Sequence, residues 1–135
     1  MATVAALATR FANEERPAGN LLDDTQILAQ ALAAARFYAG FAAIVSQIVV
    51  PAPTDVADST EISLSEWALI RPLFMLYLER ENAIQLEASR GMGIDPFGRS
   101  SSEVQNDILQ AEDAMPLKAF SHFRDVAGPT LSKRL

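Results

Sequence analysis

The stretch SRGMGIDPFGRSSSEV, residues 89–104, sets Gly91, Gly93 and Gly98 between Arg90 and Arg99 and follows them with three serines. Glycines that free backbone N–H groups, flanked by arginines, are what a phosphate cradle is made of. The spacing is wrong for one. Pro96 occupies the third glycine site of G-x-G-x-x-G, no G-K-[ST] follows, and the preceding residues have helical periodicity where a cradle needs a strand. The same residues suit a helix–loop–helix corner. Gly91, just after Arg90, fits the left-handed position that ends a helix. Asp95-Pro96 starts a turn, and Gly98 releases the chain into a Ser100 cap.

Other residues with chemical potential are isolated from partners. His122 is the single histidine, so a second imidazole and a histidine-rich metal site are excluded. Glu79 and Glu81 are two apart on a helix and point in different directions, so they do not share a proton. Asp23-Asp24 and Glu112-Asp113 read as helix caps or solvated faces, and the serines at 100–102 as capping residues without a base. Nothing matches H-E-x-x-H, an EF-hand or a nucleophile elbow. The residues make no case for an enzyme, a metal or a cofactor.

The elements that position these residues follow from composition and period. A chain of 135 residues, half of them hydrophobic, can bury one real core. Abundant alanine and few aromatics favour closely packed helices. The absence of cysteine removes disulfides and thiolate metal sites and fits a reducing compartment. MATVAALATRFANEERP lacks a basic start and a long apolar run, so it does not read as a secretory signal. The apolar segment 37–50 is broken by Gly40, Ser46 and Gln47, short of the roughly 20 apolar residues a membrane span needs.

Four helices are expected. The first, residues 3–15, aligns Val4, Leu7, Ala8 and Phe11 and ends at Pro17 and Gly19. The second opens at an Asp23 or Asp24 cap, carries Ile27, Ala31, Ala35, Tyr38, Ala42 and Val45 on one face, and fades at IVVPAP, where Pro51 and Pro53 favour extended chain. A long polar connection over 51–62 follows. The third begins with a capping box, Ser63 and Glu66, and runs to Arg90 with a kink expected near Pro72. The fourth begins with Ser100 and Glu103, aligns Val104, Ile108, Ala111 and Met115, and is expected to stop at Pro116. The fold class is therefore all-α: a four-helix bundle-like domain with a long kinked third helix, body 1–116, and an extended C-terminal tail 117–135.

Two features bear on partners. In the third helix the seam Trp67, Ile70, Phe74, Tyr77, Glu81, Ile84 and Ala88 contains a carboxylate. Either the second half of the helix leaves the core and Glu81 is wet, or that half meets another subunit, with Arg80, Glu81 or Glu87 in intersubunit ion pairs. Charge is also divided. Residues 1–117 hold 16 acidic and 7 basic side chains, whereas 118–135 hold Lys118, Arg124, Lys133 and Arg134 against Asp125 alone. An acidic body argues against general DNA binding. The basic end is either a solvated frayed terminus or an arm for an acidic partner, with Phe120, Phe123 and Leu131 supplying apolar contact.

SLSEWALIRPLFMLYLERENAIQLEASRGMG, followed by FGRSSSEVQNDILQAEDAMPLKAF, resembles the helical core of tailed-phage head-completion, or head–tail adaptor (connector), proteins over roughly residues 24–120. The resemblance implies a virion structural protein, made in the host cytoplasm and placed at the neck. It would form a homo-oligomeric ring on the portal protein, extend the channel through which DNA passes without specific binding, and connect to a tail or neck protein. It places portal docking in the tail, on Phe120, Phe123, Arg124, Leu131, Lys133 and Arg134. Pro72 and the 51–62 loop depart from the pattern. A different class, a free-standing cytoplasmic helical-bundle binding or regulatory module, remains the alternative.

Overall fold

The computed structural model describes residues 1–48, 55–92 and 98–132, with 91–92 and 123–132 as backbone only. Among the described residues the fold is all-α apart from one pair of two-residue strands. Strand β1 (Ala2–Thr3) leads into α1 (Val4–Arg10), which continues as a π-helical turn, Phe11–Glu15. Helix α2 is Asp24–Ala39, α3 the single turn Val45–Ile48, β2 Glu61–Ile62, α4 Leu64–Ala88 and α5 Ser101–Ser132.

The connection before α4 is a structural cap rather than a free loop. β2 pairs antiparallel with β1, Ala2 opposite Ile62 and Thr3 opposite Glu61. The first N–H groups of α1 have no partner within the helix. Val4 N–H donates to the Thr60 carbonyl and Ala5 N–H to the Asp58 carbonyl, each at 3.0 Å, and Ala6 N–H donates to Thr3 Oγ1 at 3.1 Å. Val56 and Ile62 are buried beneath this cap. Pro51 and Pro53, expected to hold extended chain, lie outside the described residues.

Both capping expectations at the starts of α2 and α4 hold. Asp23 accepts the Gln26 N–H at 2.8 Å while Gln26 Oε1 accepts the Asp23 N–H at 3.0 Å. Ser63 and Glu66 form the same reciprocal box. Helix α2 is shorter than its apolar period suggests. Gly40 N–H donates to the Arg36 and Phe37 carbonyls, tightening the last turn. The chain then bends so that Ala42 and Ile44 enter the core, and Val45 starts the separate turn α3. A glycine with poor helix propensity, followed by residues buried elsewhere, stops the helix there.

Helix α4 packs between α2 and α5, and α1 lies on α2. Phe74 is the hub: Phe11 meets it edge-on at 5.4 Å and Trp67 at 5.3 Å. Trp67, Ile70, Phe74 and Tyr77 are buried as the seam requires, but Ile84 and Ala88 are exposed and Glu81 is partly so. The buried face moves to Leu78, Ala83 and Leu86. The second half of the seam emerges from the core. Pro72 sits within the continuous helix Leu64–Ala88.

Two sequence expectations require correction. Gly91 does not stand past a helix end as a left-handed residue. Ser89 is the C-cap, its hydroxyl bonded to the Gln85 carbonyl at 2.9 Å, and the chain tightens into a 3-10 turn, Ser89–Met92, that contains Gly91. Among the described residues of the corner, Gly98 is the left-handed glycine, with φ +80°. Gly93 and the Asp95-Pro96 turn lie outside the described residues. Pro116 does not end α5, which runs from Ser101 to Ser132 without a break at the expected start of the tail. Proline removes one intrahelical hydrogen bond. Met115 and Ala119, buried on either side of it, hold the helix against α4.

Candidate functional site

Helices α4 and α5 are antiparallel neighbours, and the polar contacts between them fix their register. Near the corner, Arg99 Nε and Nη2 donate to Glu79 Oε1 and Oε2 at 2.8 and 2.9 Å, while Nη1 contacts Asp107. These two carboxylates, Glu79 first, hold the Arg99 guanidinium above its ordinary pKa. Ser101 N–H and its hydroxyl donate to the two oxygens of Glu87 at 2.9 and 2.8 Å. Those bonds, the backbone one leading, keep the Glu87 carboxyl below its ordinary value. Further along, Arg80 Nη1 donates to Gln105 Oε1 at 3.0 Å and its guanidinium lies 5.1 Å from the centre of the Tyr77 ring. Tyr77 donates to Glu112 Oε1 at 3.2 Å. Burial, reinforced by Glu112, pushes the Tyr77 hydroxyl up to about 12.

Beside this band α5 carries an exposed apolar ridge. The helix buries Val104, Ile108, Met115 and Ala119 on one side. Leu109, Pro116 and Phe120, at successive steps of seven and four, share another face, with Leu117 adjoining. Leu109 is 52 % exposed, Leu117 73 % and Phe120 60 %. Leu109, Leu117 and Phe120 thus leave three large apolar side chains exposed on this part of α5.

The residues proposed from sequence fall unevenly on this site. Phe120 is on the ridge. Phe123, Arg124 and Leu131 lie on the α5 backbone, and their side chains are outside the described residues, as are Lys133 and Arg134 altogether. Arg80 and Glu81, on α4, approach one another at 4.0 Å. Glu87 is engaged with Ser101 in its own chain. His122 Nε2 is shut from solvent with no hydrogen-bond partner among the described residues.

Sequence reasoning missed Leu109 and Leu117, because a helix ending at Pro116 hides the seven–four spacing that aligns them with Phe120. It also missed the convergence of Glu79, Arg99 and Asp107, which depends on how the corner folds back. Among the described residues no group of three or more His, Asp or Glu side chains could hold a metal ion, and no helix is long and apolar enough to cross a membrane. Comparison with protein-family models, curated proteins and solved structures finds no match to this chain.

Proposed function

We propose that this protein is a non-enzymatic structural adaptor that acts by docking on other proteins, in the role its sequence resembles: the head-completion protein of a tailed bacteriophage. Copies form a ring on the portal at the virion neck, extend the DNA channel, and receive a tail or neck protein. The acidic body lets DNA pass without adhering.

The observation that carries this reading is the α5 ridge of Leu109, Leu117 and Phe120, exposed beside charged groups that are already paired. A surface of that kind gains free energy when a partner covers it and offers no reactive group. The lengths of the helices add support. Antiparallel α5 has 32 residues against 25 in α4, so its far end extends beyond the start of α4. We assign portal docking to residues 117–135, of which 117–132 continue α5 from the body 1–116. We assign intersubunit ion pairs to Arg80 and Glu81, whose contact within the chain is long at 4.0 Å, whereas Glu87 serves the corner of its own chain. We also infer a four-helix bundle of α1, α2, α4 and α5, with α4 bent at Pro72.

Native mass measurement of the chain, alone and mixed with a tailed-phage portal protein, tests the proposal. A ring-sized complex with portal, lost in Phe120→Asp while the circular dichroism stays helical, is the expected result. A monomer under both conditions overturns it and favours the free-standing binding module.

A further inference from the structure

We propose that the corner Gly98–Glu103 is an electrostatic latch, which opens and closes on α4 without unfolding the protein and which salt releases. No side chain from Gly98 to Glu103 is buried; Ser101 alone is half-buried. Apolar anchoring of α5 begins at Val104. Among the described residues, Gly98–Glu103 is held by polar contacts: Arg99 to Glu79 and Asp107, and Ser101 to Glu87.

Two hollows open to solvent, of about 320 and about 160 Å³, lie beside the corner, both lined by Ala83, Leu86, Gly98 and Arg99. With no buried side chain of its own, the segment Gly98–Glu103 gains little on closing beyond its hydrogen bonds and ion pairs. Those pairs are partly exposed, with Arg99, Glu79 and Asp107 side chains each about 40 % accessible, and mobile ions screen them. Gly98, at φ +80°, gives a hinge at one end, and the buried Val104 fixes the other. Segments with few buried apolar contacts and exposed hydrogen bonds open well below the global unfolding energy. The open state uncovers Ala83 and Leu86, an apolar strip of α4. The latch operates with or without ring assembly.

The cysteine-free sequence allows a direct test. Ala83→Cys places a thiol under the latch, and Ala31→Cys places one in the core between α1, α2 and α4 as a control. Reaction with a maleimide is followed from low to high salt. The thiol at position 83 is expected to react about fivefold faster at about 0.5 M salt than at about 0.02 M. In Arg99→Gln it reacts at the fast rate throughout, with the salt response gone, while position 31 stays slow. Equal acceleration at both positions, or a rate at 83 indifferent to salt and to Arg99→Gln, overturns the latch. If Ala83→Cys fails to fold, amide exchange on the unaltered protein decides. Salt must then accelerate Ser101, Glu103 and Val104 more than Ile108, and uniform exchange refutes the proposal.

Discussion

Glu66 Oε2 accepts the backbone N–H of Val45 at 3.0 Å, joining the start of α4 to the start of α3 through a carboxylate with no solvent exposure. The other oxygen accepts Ser63 N–H at 3.1 Å and the Ser63 hydroxyl at 2.9 Å. A buried carboxylate is tolerable when donors surround it, and here three do.

Glu66→Ala leaves the N–H groups of the half-buried Val45 and Ser63 without their acceptor and is expected to destabilise the protein by about 2 kcal/mol. Glu66→Gln keeps the shape but turns an amide donor towards groups that themselves donate, so it also destabilises, by less. Urea denaturation of the two variants checks the order. A Gln variant as stable as the parent would show that the carboxylate is not needed there.

The Ser63–Glu66 capping box and the Asp23-Asp24 pair of candidate caps show what could be read along the chain. A box needs residues three apart and a cap one short polar residue, so both helix starts were visible, but not which aspartate caps α2. The same is true of Val104, Ile108 and Met115, whose spacing marks a buried face before any partner is known. The link from Glu66 to Val45 could not be read, because it crosses 21 positions and forms only when α2 stops at Gly40. Residues 58–60 likewise read as loop, since the bonds they give α1 are to backbone carbonyls and leave no trace in residue type. Of the candidate site, Phe120 and Arg80 were visible. The ridge as a whole was not, because local proline chemistry predicted a helix end where packing of Met115 and Ala119 carries the helix on.

The two tyrosines predict an alkaline response. Burial, followed by the charge of Glu66, pushes Tyr38 up to about 12, and Tyr77 is raised to the same value. An unfolded tyrosine titrates near 10. Between about 10 and 12 the unfolded chain therefore holds fewer protons than the native one, and stability falls as pH rises through that window. Below 10 neither tyrosine contributes a slope. Phenolate absorbance of the native protein should remain near zero at about pH 10.5 and appear together with loss of helical circular dichroism. Titration of either tyrosine near 10 in the folded protein would contradict the burial described.

Gly98→Ala isolates a backbone effect. A Cβ at this position meets no atom within 4 Å, so sterics against neighbours contribute nothing. The cost comes from φ +80°, which non-glycine residues resist, and is expected to be about 1 kcal/mol. Gly98→Asn should cost less, because asparagine tolerates left-handed geometry. Thermal melts of the pair measure this; equal and negligible effects would mean that the corner adopts another conformation in solution.

Pro116→Ala separates the two accounts of α5 by the sign of its effect. In a continuous helix the proline at 116 has no N–H for the Glu112 carbonyl, and its ring crowds that carbonyl. Alanine restores the bond and is the best helix former. Met115 and Ala119 already hold the helix on α4, so the substitution need not move the core. If α5 runs through position 116, Pro116→Ala should stabilise the protein by about 1–3 kcal/mol, raising the urea midpoint with little change in slope. Were the helix to end before Pro116, alanine would gain no hydrogen bond and would add conformational freedom to the unfolded chain. The expected change would then be zero or slightly destabilising. A gain therefore supports the continuous helix that aligns Leu109 with Phe120, and a null or negative result removes the ridge on which the adaptor reading depends.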